Sequence, residues 1–276
     1  MANKSVNTHT NKKKKCSKKM TSFWTILSKG LWKTANSLAF SFHLFKFLLS
    51  SAELKGGEEG SHMSSWGDMP PWAYEAARAL MESLKLVDPA TYAHCCRVGE
   101  MSRKLARDLG LNEYEQKLAE FAGLFHDIGK IGVPQAIIGK PGRLDEEEYK
   151  IMQSHPELSE RIVAPLASHS FFASILPGIR GHHERIDGTG YPDKKRGDEV
   201  PLLARIILVV DTFDAMSETR AYRKGLPIDV VYAELKRCSG TQFDSQIVKT
   251  FLEAHIHWEP QKGDADTENL LIKRIA

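Results

Sequence analysis

His94, His126, Asp127, His155, His182, His183 and Asp211 are all of types that bind metals, and five of the seven stand in adjacent pairs or beside a proline. Imidazole nitrogens and carboxylate oxygens are donors for divalent transition metals, and seven are too many for one ion. Neighbours such as His126-Asp127 and His182-His183 suit a two-metal centre, in which one bridging carboxylate holds two cations close together. The chemistry indicated is that of a metallohydrolase. Asp211 carries a separate argument. It closes the run Ala204 to Val210, apolar enough for a core helix, where a carboxylate is costly unless protonated, paired with Arg205 or Arg220, or bound to a cation. His182 and His183 follow Gly181 and precede Asp187-Gly188, a polar, glycine-rich turn that packing alone does not explain.

The elements that must position these donors read as helices. Asp88-Pro89 supplies an N-cap and a first-turn proline for a segment that runs to Gly110, with Val98, Met101, Leu105 and Leu109 at helical spacing. Asn112 with Glu115 forms a capping-box pattern, and Tyr114, Leu118, Phe121, Ala122 and Phe125 line one face of a helix that delivers His126 and Asp127 at its end. Asp145 with Glu148 repeats the device ahead of the helix that leads to His155. Between residues 70 and 260 no alternating strand run of useful length occurs, so an all-α fold is expected.

The chain has 276 residues, enough to bury a sizeable core in one or two domains. Its net charge of +3 hides an asymmetry: residues 1–62 carry 11 Lys against 3 Glu, a local +8, leaving a balance of −5 elsewhere. A groove for a nucleic-acid polymer is therefore not indicated on the main domain. Cys16, Cys95, Cys96 and Cys238 make no C-x-x-C pair, which fits a reducing compartment. Cys95 and Cys96 follow His94 directly and read as small buried helix-face residues rather than thiolate ligands.

Residues 1–62 form a basic extension. Lys12 to Lys15, Lys18 and Lys19 precede a stripe of Trp24, Leu27, Leu31, Ala35, Leu38, Phe42, Phe45 and Leu49 at helical spacing. Lys29, Lys33 and Lys46 interrupt it, so no uncharged stretch reaches the roughly 18–20 residues needed to span a bilayer. Over residues 12–50 an amphipathic helix on an anionic membrane surface is one reading. Two others stand beside it: Gly60-Ser61-His62-Met63 has the look of an expression-vector remnant, and Met63 that of a natural start.

The motif series Phe125-His126-Asp127-Ile128-Gly129-Lys130-Ile131-Gly132-Val133-Pro134, Lys140-Pro141-Gly142, His155-Pro156, His182 to Pro192, Phe213-Asp214-Ala215 and Gly240 to Asp244 resembles the HD-GYP family, a branch of the HD superfamily of metal-dependent phosphohydrolases. The resemblance covers roughly residues 86–256. It implies an all-α HD-superfamily bundle with a binuclear metal site over residues 70–260, followed by a tail at 261–276. The implied activity is hydrolysis of cyclic di-GMP, a bacterial second messenger, to linear pGpG by a metal-bridging hydroxide, with onward cleavage to GMP left open. By position, His94, His126, Asp127 and Asp211 match the ligands of one metal, and Asp127, His155, His182 and His183 those of the second, with Asp127 bridging. Iron or manganese is the implied occupant. Asp127 and Lys130 match catalytic positions, and Lys130, Arg185, Asp187, Tyr191, Arg220 and Arg223 match positions that meet the substrate. Each keeps a plainer alternative: Arg185 and Asp187 pairing with each other, Tyr191 packing on its own domain, and the remaining cations solvated.

Departures from the family pattern also carry expectations. Ala90 stands where some members place a glutamate for a third metal, so two metals are expected. Lys194-Lys195 replaces the common Gly-Leu after Pro192, and the usual small residue after the His-Pro segment is Ser159; neither is expected to touch a ligand. Two alternatives remain beside the phosphodiesterase. One is an inactive interaction module docking through its GYP loop on proteins that synthesise cyclic di-GMP, and the other is an HD phosphohydrolase acting on another nucleotide. The expected location is the cytoplasm, with a peripheral place at the inner membrane face if the extension binds there.

Overall fold

The computed structural model describes residues 71–219 and 224–258. The basic extension, the membrane-surface reading of residues 12–50, the tail at 261–276, and Arg220 and Arg223 lie outside the described residues. Among the described residues every regular element is helical, as the all-α expectation requires, and the β-pairing found is one isolated bridge between Ser239 and Phe243. No helix among them is long and apolar enough to cross a membrane.

The helices begin where the capping residues stand. Helix α1 spans Pro71–Val87 and α2 spans Pro89–Asp108. Asp88 caps α2 by accepting from Thr91 N at 3.0 Å and from Thr91 Oγ1 at 2.7 Å. Gly110, at φ +82°, reverses the chain into α3, Glu113–Phe125. There Asn112 and Glu115 form the full reciprocal capping box, in which each side chain satisfies a free backbone N–H of the other. A 3-10 turn at Ile128–Gly132 and a short helix α4, Gln135–Ile138, lead to a second capping box at Asp145 and Glu148. That box opens α5, Glu146–Met152, which stops before His155; a fresh helix α6, His155–Val163, starts at His155 itself. Then follow α7 (Ser170–Gly181), α8 (Leu202–Ser217), α9 (Ile228–Arg237) and α10 (Ser245–His255).

The hairpin of α2 and α3 forms the largest helix pairing, and α8 packs across α2, α3 and α7. Helix α8 is the apolar run read in the sequence: Ala204 and Ile206 to Val210 are all buried. The rings of Phe121, Phe125, Phe171, Phe172 and Phe251 around it, with Phe213 of α8 itself, fill the core. Burying a side chain of this kind contributes about 1.5–3 kcal/mol relative to leaving it in water. The consequence for the site is rigidity, because α2, α3, α7 and α8 all carry candidate ligands or end at one.

Candidate metal centre

Three of the five histidines stand at helix ends. His126 is the C-cap of α3 and His182 the C-cap of α7, while His155 follows the last turn of α5. The final carbonyls of a helix lack intrahelical partners. Each of these imidazoles uses one: His126 Nδ1 lies 2.6 Å from Gly123 O, His155 Nδ1 2.6 Å from Met152 O, and His182 Nδ1 2.7 Å from Ile179 O. A carbonyl only accepts, so Nδ1 carries the proton and, in the neutral ring, Nε2 presents a lone pair. His94 lies inside α2 and is oriented instead by Asp214, whose Oδ2 is 2.7 Å from its Nδ1.

These lone pairs converge on Asp127. Its Oδ2 lies 3.6 Å from His94 Nε2 and 3.5 Å from His126 Nε2. Its Oδ1 lies 3.1 Å from His155 Nε2 and 3.9 Å from His182 Nε2. The two carboxylate oxygens are thus divided between two sets of imidazoles. Asp211 Oδ1 joins the first set, 3.1 Å from His94 Nε2 and 4.0 Å from His126 Nε2. His183 joins the second, its Nε2 3.1 Å from that of His155, which is in turn 3.1 Å from His182 Nε2. Arg205, the alternative partner for Asp211, bonds Asp244 at 2.8 Å instead.

The arrangement fits metal ions on its own chemistry. His126 Nε2 and Asp127 Oδ1 are buried without a hydrogen-bond partner, and imidazole lone pairs face each other across the second set. His155, His182 and His183 are placed to hold one ion, and so are His94, His126 and Asp211; His126, Asp127 and His182 form a third such grouping across the middle. Protonation states agree. Burial holds the His126 and His182 pKa values below the ordinary imidazole range, and burial with the neighbouring His155 brings His183 down to about 3. Burial also opposes ionisation of Asp127 and Asp211. Lys130 and His126 overcome it at Asp127, and His94 does so at Asp211, so both carboxyls stay well below their ordinary values. His94 is the exception among the imidazoles: burial works against its proton, yet Asp211 and Asp214 outweigh it and lift the pKa to about 9. His94 and Asp211 could hold a cation between them, and it would take the place of that proton, since metal and proton compete for one lone pair.

Lys130 donates to Asp127 Oδ2, which the three-residue spacing on the 3-10 turn allows. Gly129 lets that turn seat on α6, because a Cβ there would collide with His155 O and the backbone of Ser159. Tyr191 stacks on His183, with ring centroids 4.8 Å apart and planes at 28°, so it packs against the site's own wall. Gly190 permits this approach, because a Cβ there would collide with the backbone of His183 to Arg185. Arg185 and Asp187 bond each other at 3.2 and 2.6 Å, and Arg185 also reaches Gln242 at 2.9 Å. Cys95 and Cys96 belong to the apolar core, and burial raises the Cys95 thiol well above its ordinary value.

Several working residues escaped the sequence reading. Ser159, expected to touch no ligand, donates to His126 O at 2.6 Å and accepts from Gly129 N at 2.8 Å. The cause is simple, since the contact runs through the backbone of His126 rather than its side chain. Glu184 is fully buried and accepts from Asp193 N at 2.6 Å and Lys195 N at 3.1 Å, fastening the loop that follows Tyr191. Arg180 grips Asp193 from the other side at 2.9 and 2.7 Å, and also bonds Glu160 at 2.8 Å. Glu184 and Asp214 lie inside the family motifs and Ser159 just after the His-Pro segment, which was the available signal; nothing local marks Arg180.

Residues 78–247 match the HD domain family. The chain belongs to that family. Its motif series and relatives place this HD domain in the HD-GYP branch. It is 39% identical over 165 residues to the 3′3′-cGAMP-specific phosphodiesterase 3 of Vibrio cholerae, covering 59% of this chain and 35% of that protein. It is 37% identical over 167 residues to a cyclic di-GMP phosphodiesterase of Thermotoga maritima, covering 60% and 45%. With a cyclic di-GMP phosphodiesterase response regulator of Xanthomonas campestris it shares 32% over 205 residues, covering 74% and 54%. The chain thus spans about half or less of the length of these relatives. Among solved structures, an HDG"Y"P protein from Bdellovibrio bacteriovorus superposes with a TM-score of 0.50 at 18% identity, covering 67% of this chain and 61% of that one. A cyclic GMP-AMP-specific phosphodiesterase of Vibrio cholerae gives 0.50 at 19%, covering 73% and 52%. At these identities the likeness concerns the fold.

Proposed function

We propose that this HD domain hydrolyses a phosphodiester bond of a cyclic dinucleotide, with cyclic di-GMP as the substrate and linear pGpG as the product. The observation that carries the reading is the division of the Asp127 oxygens between two imidazole sets. In it, His94, His126, Asp127 and Asp211 would hold one divalent cation and Asp127, His155, His182 and His183 the other, iron or manganese being suited to such mixed donors. Two such ions, when bound, supply a water of lowered pKa and neutralise charge at phosphorus.

The chain's own residues supply the rest. The ionised Asp127 holds the two halves in register. Lys130, partly exposed beside it, directs an ammonium towards the phosphate that comes to the centre. Tyr191 covers His183 and narrows access of water to that side. Arg220 and Arg223 are assigned to the dinucleotide by their match to the family, as guanidinium forks suit phosphates and guanine edges. The Arg185–Asp187 pair keeps the loop ahead of Tyr191 stiff while leaving part of both side chains exposed. Docking of a cyclic-di-GMP-synthesising partner on this loop is a secondary role compatible with the same geometry.

A second substrate, 3′3′-cGAMP, is favoured by the relative at 39% identity. One experiment separates the readings. The full chain is purified without oxygen, its metals are measured by elemental analysis, and both cyclic dinucleotides are followed by chromatography, with His126→Ala and Asp127→Ala as controls. Turnover of cyclic di-GMP that both substitutions abolish is expected. If the metal-replete protein cleaves nucleoside triphosphates but neither cyclic dinucleotide, the proposal is lost.

A further inference from the structure

We infer that Asp214 and Arg97 are positioning residues for His94, and that they make the His94 half of the centre unlike the other half. The inference rests on the reading of the cluster as a metal centre. His126, His155 and His182 each donate Nδ1–H to a carbonyl three residues earlier, at the open end of a helix. His94 has no such carbonyl, because it lies in the interior of α2, where backbone carbonyls are consumed by the helix itself. A side chain from another helix must orient its ring. Helix α8 provides it from both sides: Asp211 Oδ1 lies 3.1 Å from Nε2, and Asp214 Oδ2 lies 2.7 Å from Nδ1. Residues three apart share a helix face, so one face of α8 addresses both nitrogens of one ring.

Asp214 is 2% exposed and fully engaged. Arg97, one turn beyond His94 on α2, donates Nε to its Oδ1 at 2.7 Å and Nη2 to its Oδ2 at 2.9 Å. This fork engages both carboxylate oxygens and fixes the plane of the group. A carboxylate behind a ligating imidazole raises its donor strength and holds its direction, whereas a neutral carbonyl does so less. The first half of the centre therefore depends on a pair that the second half does not share.

The test reads metal affinity. The full chain is stripped of metal and titrated with Mn²⁺ alone, with free ion measured by electron paramagnetic resonance. His183→Ala isolates the His94 half and His94→Ala isolates the other. Adding Asp214→Asn to the His183→Ala protein is expected to weaken Mn²⁺ binding about 10–100-fold, the usual effect of losing such an outer partner. Adding it to the His94→Ala protein should change binding by less than about 2-fold, because the imidazole it serves is already gone. Arg97→Gln should give a smaller loss confined to the same half, and it carries the comparison should Asp214→Asn fail to fold. Equal losses in the two backgrounds, or no loss in the His183→Ala background, would overturn the inference. Failure of the wild-type chain to bind Mn²⁺ at all would instead remove the metal reading beneath it.

Discussion

Replacing Ser159 with alanine should destabilise the protein by about 3 kcal/mol, although no candidate-ligand side chain is altered, because the change orphans two buried groups. The hydroxyl is wholly buried and joins two backbone groups, donating to His126 O at 2.6 Å and accepting from Gly129 N at 2.8 Å. Alanine leaves both groups buried without that partner, and each orphaned group costs about 1–3 kcal/mol. For a folded unit of this size, 1 kcal/mol moves the midpoint by about 2–4 °C, so a fall of about 6–12 °C is expected. Urea unfolding of the metal-stripped chain, followed by circular dichroism, measures the free energy directly. Ser174→Ala serves as control, because Ser174 Oγ bonds Ser170 O at 2.9 Å on an exposed helix face; it should cost less than about 0.5 kcal/mol. The two backbone groups flank Asp127, so Mn²⁺ affinity should fall as well. A loss below about 1 kcal/mol, with unchanged metal affinity, would refute the view that Ser159 clamps the Asp127 turn to α6.

Lys194 has φ +57°, a left-handed conformation that costs a lysine about 1–2 kcal/mol, so Lys194→Gly should raise stability by about 0.5–1 kcal/mol once the greater freedom of unfolded glycine is deducted; a loss would contradict this. His255, hydrogen-bonded to Tyr232 at 2.7 Å, has its pKa lowered to about 4, first by burial and then by Lys104. Its neutral form is therefore favoured by folding, and stability is complete above about pH 6.5 and falls as pH drops towards about 4. The full shift corresponds to about 3 kcal/mol, which partial exposure reduces to about 1–2 kcal/mol. His255→Gln should flatten that part of the denaturation profile, and an unchanged slope would disprove the assignment. Arg180→Met should release Asp193 and speed tryptic cleavage after Lys194 and Lys195 about tenfold, through a local opening eased by about 1.4 kcal/mol; unchanged cleavage would show that Glu184 holds the loop alone.

Much of the fold was legible because its signals are local. Both capping boxes, the Asp88 cap and the apolar run of α8 depend on residues within one or two helical turns. The break between α5 and α6 was not visible, because it arises where the chain turns to bring His155 to Asp127, which is a tertiary demand. The residues of the candidate centre were legible from type and motif, while their orientation was not. His94 and Asp214 are 120 residues apart, and no short-range pattern reports that one sets the ring of the other.

Helical class, family and donor types follow from the order of residues alone, because periodicity, capping and motif order are written in near neighbours. Packing settled the rest. It divided the two oxygens of Asp127 between different imidazole sets, gave three histidines their orientation at helix ends, and set α8 against His94. Those outcomes depend on where packed helices end and cross, a property of the whole core rather than of any segment.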